Sequence, residues 1–307
     1  MSAGRSARTG QNREVAPLRI VFAGSPAAAV PSLQALIASP HDVVAVVTRD
    51  DAPVGRKRVP TPTPVAEAAG AAGIPVIKAN RLGPVTDDIR ALEPELGVVV
   101  AYGGLVREPL LSAPDHGWIN LHFSLLPRWR GAAPVQRAVM AGDEETGLAV
   151  FQLVPELDAG PVFAMERRRI GRHQTAGHLL EQLADEGAGV LARVVDAIAA
   201  GTARAIPQEG EPTFAPKLEA DDGRVEWSRD AGLVYARIRG ATPEPGAFTT
   251  VDGDRLKIHS AAIAHGEAPL PPGRIEDRRG RILAGTGTEP LELERVQPAG
   301  KRVMAAA

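Results

Sequence analysis

"WINLHFSLLPRWRGAAPVQ", residues 118–136, decides how this chain is read. It opens as a buried strand, sets Asn120 and His122 two residues apart, and runs into a loop dense in Pro, Arg, Trp and Gly. Residues two apart on a strand share a face, so Asn120 and His122 lie together at the strand's end. In open α/β sheets, ligands collect beyond the carboxyl ends of the strands. A polar pair there suits a ligand. It equally suits a cap that bonds nearby backbone, and position alone leaves these readings even.

Working outward, apolar runs alternate with helix-spaced segments. "LRIVFA" (18–23) is a short apolar run, "VVAVVT" (43–48) and "LGVVVAY" (96–102) read as buried strands, and "IPVIK" (74–78) lies between these two as another strand-like run. Val30, Leu33, Leu36 and Ile37 recur at helical spacing after the first, and an Ala-rich helix-like segment spans 65–72. Continuous apolar strands separated by helices predict a parallel sheet covered on both faces. Apolar periodicity from Leu179 to Ile198 predicts one long helix, capped by Thr175 and stopped by Gly201. The stretch "TARAIPQEGEPTFAPKLEADDGRVEW" is then rich in Pro, Gly and acids and reads as a linker. Short β-like runs between turns follow: "AFTTV", "DRLKIHSA", "GRIED", "RILAGTG" and "LELERV". The expected fold is α/β: a Rossmann-like, mostly parallel sheet domain over residues 17–201, a linker over 202–220, and a smaller β-rich, OB-like barrel domain over 221–307. Residues 1–16 are polar with scattered Arg, lack the apolar middle of a secretory signal, and read as a disordered extension.

Composition narrows the chemistry. Hydrophobic content of 44% and charged content of 23% are ordinary for a globular protein. No apolar run is long enough to span a bilayer. Cysteine is absent, which excludes disulfides, thiolate zinc sites and Cys nucleophiles. A cytoplasmic monomer is expected. The formal net charge of −2 does not indicate a wholly basic nucleic-acid binder. Phosphate contacts would need local clusters, of which Arg56, Lys57 and Arg58 in the loop over 51–64, and Arg128 and Arg130 after the strand, are candidates. Taken singly, each cluster reads first as solvated surface. "FAGSPAAAV" after the first strand is not a G-x-G-x-x-G fingerprint, which disfavours a dinucleotide-dependent dehydrogenase. The seven His residues are scattered, with no H-E-x-x-H, and no metal is expected. Asp158 stands in "VPELDAGPVF", a Leu-Asp-Ala-Gly turn between two apolar runs. Turn chemistry alone accounts for such an Asp, and the sequence does not bring it near His122.

These same residues carry a resemblance that runs nearly end to end. "RIVFAGSP", "VVAYG", "INLHFSLLPRWRGAAPVQ", "LDAGP", "IRGATPEPGAF" and "LERVQPAGKRVM" resemble the 10-formyltetrahydrofolate-dependent formyltransferases. Asn-x-His followed by Ser-Leu-Leu-Pro, with the later Asp, marks the group. The continuation "PRWRGAAPVQ" and the C-terminal segment are similar to its methionyl-tRNA branch. The resemblance implies that Asn120, His122 and Asp158 are catalytic. It also implies that Tyr102, Gly103, Gly104, Leu105 and Val106, with Ser124, Leu125, Leu126 and Pro127, form the pocket for the 10-formyltetrahydrofolate cosubstrate. Arg56, Lys57, Arg58, Arg128 and Arg130 would then meet the initiator Met-tRNA. In that mechanism Asn120 and a protonated His122 stabilise the oxyanion formed when the methionyl amine attacks the formyl carbon, and Asp158 orients His122 or relays a proton. Two positions depart from the family pattern. Phe123 replaces a small residue, so a different pocket wall is expected, and Glu244 stands where Trp is frequent. Two other readings share much of this: a formyltransferase acting on glycinamide ribonucleotide or an amino sugar, and a non-catalytic RNA-binding relative.

Overall fold

Strand β1 (Arg19–Gly24) is buried from its second residue onward, because it runs through the middle of a sheet with helices on both faces. The computed structural model describes residues 16–54 and 58–307. After β1, α1 (Val30–Ile37) leads to β2 (Asp42–Thr48), and an arm of β3 (Ala52–Val54) and β4 (Val59–Thr61) to α2 (Pro64–Ala71) and β5 (Val76–Lys78). Next come α3 (Thr86–Arg90), β6 (Leu96–Val100), β7 (Trp118–His122), the short β8 (Arg130–Gly131) and α4 (Pro134–Ala141). Strands β9 (Glu145–Gln152) and β10 (Val162–Arg169) and the long α5 (Ala176–Ala199) complete this unit. The sheet order is β10-β9-β7-β6-β1-β2-β5. Strands β5, β2, β1, β6 and β7 run parallel, and β9 and β10 add an antiparallel edge. The mostly parallel sheet expected from the apolar strands is present.

The two faces of the sheet hold different cores. Ile20, Phe22, Val98, Leu121, Leu148 and Val150 pack against α1, α2 and α5. Val21, Val99, Tyr102, Leu110 and Trp118 form the opposite core with Ile89 of α3. Phe123 joins the first core, beside Leu121. The expectation that Phe123 alters the pocket wall is therefore corrected: the period of two sends residues 119, 121 and 123 to the core face and residues 120 and 122 to the other. Helix α5 begins where the sequence places it. The Thr175 hydroxyl accepts from the His178 N–H, and Gly201 takes the positive φ of 68° that ends the helical path.

A second unit follows the connecting segment, which carries β11 (Phe214–Ala215). Helix α6 (Ala231–Gly240) precedes β12 (Ala247–Val251), β13 (Asp254–Ile263), β14 (Ile275–Arg278), β15 (Arg281–Ala284), β16 (Leu291–Pro298) and β17 (Met304–Ala305). The strands form one antiparallel sheet, order β12-β13-β16-β15-β14, with β17 on β16. Irregular register near Ser260 kinks β13, the kind of break that curls a sheet into a half-barrel. Val234, Tyr235 and Ile238 of α6 fill its core. Neither α4 nor α6 is among the elements read from the sequence, yet they join the two units. Gly240 lets them approach, since a Cβ there would stand 2.8 Å from the Met140 backbone nitrogen.

Candidate active site

Strand β7 delivers Asn120 and His122 to the sheet's carboxyl end, where Asn120 pairs with Phe151 and Val99 and His122 with Ala149. Both belong to the face lined by Leu126 and Phe151 rather than the face buried under α5. His122 is 5% exposed. One ring nitrogen, Nε2, lies 2.9 Å from the carbonyl oxygen of Trp129. A carbonyl only accepts, so Nε2 carries the hydrogen. The other nitrogen, Nδ1, faces Asp158 Oδ2 at 3.8 Å. Burial pushes the His122 pKa below its ordinary 6.5, and neither the Asp158 charge nor the Trp129 carbonyl offsets it. Burial thus favours the neutral ring, whose lone pair would lie on Nδ1 facing the carboxylate.

Asp158 completes the group from a turn between β9 and β10. Its φ is 48°, in the left-handed region, and its carboxylate accepts from the Gly131 N–H at 2.7 Å. Gly131 has φ 124°, and a Cβ there would stand 2.7 Å from the Ala215 carbonyl oxygen. Only glycine gives both that conformation and that approach. Asn120 has the remaining open chemistry. Its Oδ1, which only accepts, is buried without a hydrogen-bond partner among the described residues. The group of this side chain that can donate to a ligand is the Nδ2 amide. One amide, one imidazole and one carboxylate therefore converge. That set can donate to a developing oxyanion and accept a proton from a nitrogen beside it.

Comparison with known proteins fits this geometry. Residues 18–195 match the formyl transferase family and residues 217–307 match the formyl transferase C-terminal domain. A methionyl-tRNA formyltransferase of Clavibacter sepedonicus is 64% identical over 291 residues, covering 94% of this chain and 95% of that one. That of Clavibacter michiganensis subsp. michiganensis is 60% identical over the same shares. The chain belongs to the methionyl-tRNA formyltransferase family. Members take the formyl group from a folate-derived donor. Among solved structures, an N-formyltransferase from Helicobacter canadensis, in complex with folinic acid and dTDP-3-aminofucose, shares the fold. Its TM-score is 0.69 at 14% identity, over 92% of this chain and 99% of that one.

The other residues expected from the family pattern fall at three places. Tyr102, Gly103, Gly104, Leu105 and Val106 follow β6 at the carboxyl end of the sheet. Tyr102 is buried, its hydroxyl donates to the Ala79 carbonyl at 2.6 Å, and burial pushes its pKa up; Leu105 is exposed. Ser124 is buried and its hydroxyl donates to the Arg128 carbonyl, which ties the loop after β7. Leu126 packs with Phe151, Pro127 is buried, and Leu125 is half-buried. Arg128 is half-exposed and pairs with Asp143 at 2.9 Å. The Arg130 guanidinium turns inward to Gln208. Arg58 is exposed beside the β3–β4 arm, while Arg56 and Lys57, like residues 1–15 of the expected extension, lie outside the described residues.

Sequence reading did not find three contributors to the site. Arg49 donates to the carbonyls of Tyr102 and Gly103 at 3.2 and 2.7 Å, fixing the loop after β6. Thr213 accepts from the Trp129 N–H through its hydroxyl, which steadies the carbonyl bound to His122. Gln208 holds the Asp158 turn. Residues 208 and 213 sit in a segment whose composition reads as a spacer, and no local signal marks them.

Proposed function

We propose that this chain transfers the formyl group of 10-formyltetrahydrofolate to the α-amino group of methionine carried on initiator tRNA, in the cytoplasm, for translation initiation. The observation that carries this reading is the placing of Asn120 and His122 on one strand face, with His122 Nδ1 facing the Asp158 carboxylate at 3.8 Å. The loop over 102–106 and the segment over 124–127 would hold the folate, which supplies an electrophilic formyl carbon. Asn120 donates an amide N–H to the formyl oxygen as negative charge builds there. An α-amino group has a pKa of about 7.7–8.0 and is largely protonated at neutral pH. One proton leaves to solvent to give the free amine, which attacks the formyl carbon and then carries a proton in excess. His122 Nδ1 and the Asp158 carboxylate accept that proton and pass it to the folate nitrogen as the carbon–nitrogen bond to folate breaks. Arg128, with Arg56, Lys57 and Arg58, would meet tRNA phosphates, which position the substrate without reading its sequence.

The test is transfer of labelled formyl from 10-formyltetrahydrofolate to Met-tRNA. Unacylated tRNA, glycinamide ribonucleotide and an amino sugar nucleotide serve as competing acceptors. Label in the methionyl amine alone supports the reading. Label in a small acceptor in place of Met-tRNA, or folate binding with no transfer to any of them, overturns it.

A further inference from the structure

The segment joining the two units is exposed throughout residues 206–212 except at Gln208, which turns inward. Both amide hydrogens of Gln208 are used: Nε2 donates to the carbonyl oxygens of Asp158 and Gly160, each at 2.8 Å. Its Oε1 accepts from Arg130, 2.6 Å from Nη2 and 3.2 Å from Nε. Carbonyls only accept and a guanidinium only donates, so the amide has a single satisfactory orientation. The two carbonyls flank the turn that holds Asp158 at its left-handed φ of 48°. A non-glycine residue keeps that conformation where its surroundings impose it. At the far side of the turn, a Cβ on Gly160 would run into the Gln152 carbonyl, so the loop has little slack there.

We propose that Gln208 is a positioning residue of the transfer reaction: it clamps the backbone that carries Asp158 and so holds that carboxylate opposite His122. The second anchor of Asp158 leads to the same segment. The N–H of Gly131 that binds the carboxylate belongs to β8, and β8 pairs with β11 of the connector through Phe214–Arg130 and Ala215–Gly131. The stretch between the two units thus builds one wall of the site, and Arg130 completes the Gln208 clamp.

The kinetic arm of the test rests on the formyl-transfer reading; a second arm does not. Gln208→Met keeps the length of the side chain and removes every hydrogen bond. Gln208→Glu keeps the pair with Arg130 and removes both donors to the carbonyls. Both variants should lose about 10²-fold in kcat, the scale of a displaced catalytic group, while KM for either substrate changes less than about threefold. The Asp158→Asn/Gln208→Met double variant should be about as slow as Asp158→Asn alone, because Gln208 acts through that carboxylate. Independently of any transfer, NMR titration of the His122 ring should shift to lower pH in both variants, since the carboxylate that raises its pKa has moved. In folded variants, kcat within about twofold of wild type together with an unchanged His122 titration overturns the proposal. So do losses that multiply in the double variant. If wild type transfers no formyl group to Met-tRNA, the functional reading fails, and the His122 titration alone decides Gln208.

Discussion

Asn120 forgoes a hydrogen bond that the fold offers to almost every other buried polar atom. Its Oδ1 is closed off without a partner among the described residues, which leaves the Nδ2 hydrogens as the part of the amide that can meet a ligand. Asn120→Ala should therefore leave the chain folded while lowering turnover by about 10²–10³, the usual loss for one oxyanion donor. Single-turnover formylation at saturating substrates measures it. His122 carries a second consequence. Its pKa in the folded chain lies below the ordinary 6.5 because the ring is buried. As pH falls through 6.5 the unfolded chain takes a proton on this ring that the folded chain refuses. Its stabilising share is thus whole above the ordinary pKa and is lost as pH falls towards the folded value. The slope from one such proton reaches about 1.4 kcal/mol per pH unit. Urea midpoints should drop between about pH 7 and pH 5, and His122→Gln should flatten that part of the profile.

At the scale of elements, α5 and the connector make opposite use of local sequence. Helix α5 has its apolar stripe, its Thr175 cap and its Gly201 stop within one continuous stretch, so short-range rules suffice. Thr175→Ala removes the acceptor for the His178 N–H and should cost about 1 kcal/mol in a denaturant titration. Turnover should stay near wild type, because α5 packs on the face of the sheet opposite Asn120 and His122. The connector has no apolar period. It is ordered by partners 44 to 84 residues earlier in the chain. Thr213 bonds Trp129, Gln208 bonds Arg130 and the Asp158 turn, and Ile206 bridges Val162. Nothing in 202–220 announces these bonds.

Across the whole molecule, α4 packs against α6 between the two units, and a charged cluster adds to the joint. Arg137 of α4 forks onto the Asp222 carboxylate at 3.0 and 3.2 Å, and Arg237 of α6 donates to the Asp222 carbonyl at 3.0 Å. Burial raises the Asp222 pKa, but the Glu219 N–H and the two arginines outweigh it and hold the carboxyl below its ordinary 3.8. Arg137→Ala should cost about 1.5–3 kcal/mol at neutral pH, the range for hydrogen bonds to charged groups. Asp222 stabilises the fold above its unfolded pKa of 3.8, and that stabilisation is lost as pH falls through the folded value. The difference between Arg137→Ala and wild type in chemical denaturation should therefore shrink in acid. Helix α4 begins directly after the loop carrying Arg128, Trp129 and Arg130, so this joint also bears on how the loop sits over His122.

The sequence alone determined the repeating apolar strands, the long helix α5 with its Thr175 cap and the shared face of Asn120 and His122, because each follows from periods of two or 3.6 and from residues adjacent in the chain. Asp158 was legible as a turn residue, and only its resemblance to a family motif attached it to His122. Tertiary structure decided the rest. It placed Asp158 at 3.8 Å from His122, lowered the pKa of that ring by burial, turned Arg130 from solvent to Gln208 and put Phe123 in the core. Distance, burial and hydrogen-bond pairing between segments far apart in the chain arise only when the sheet, the turn after β9 and the connector meet in space, and no local period encodes that meeting.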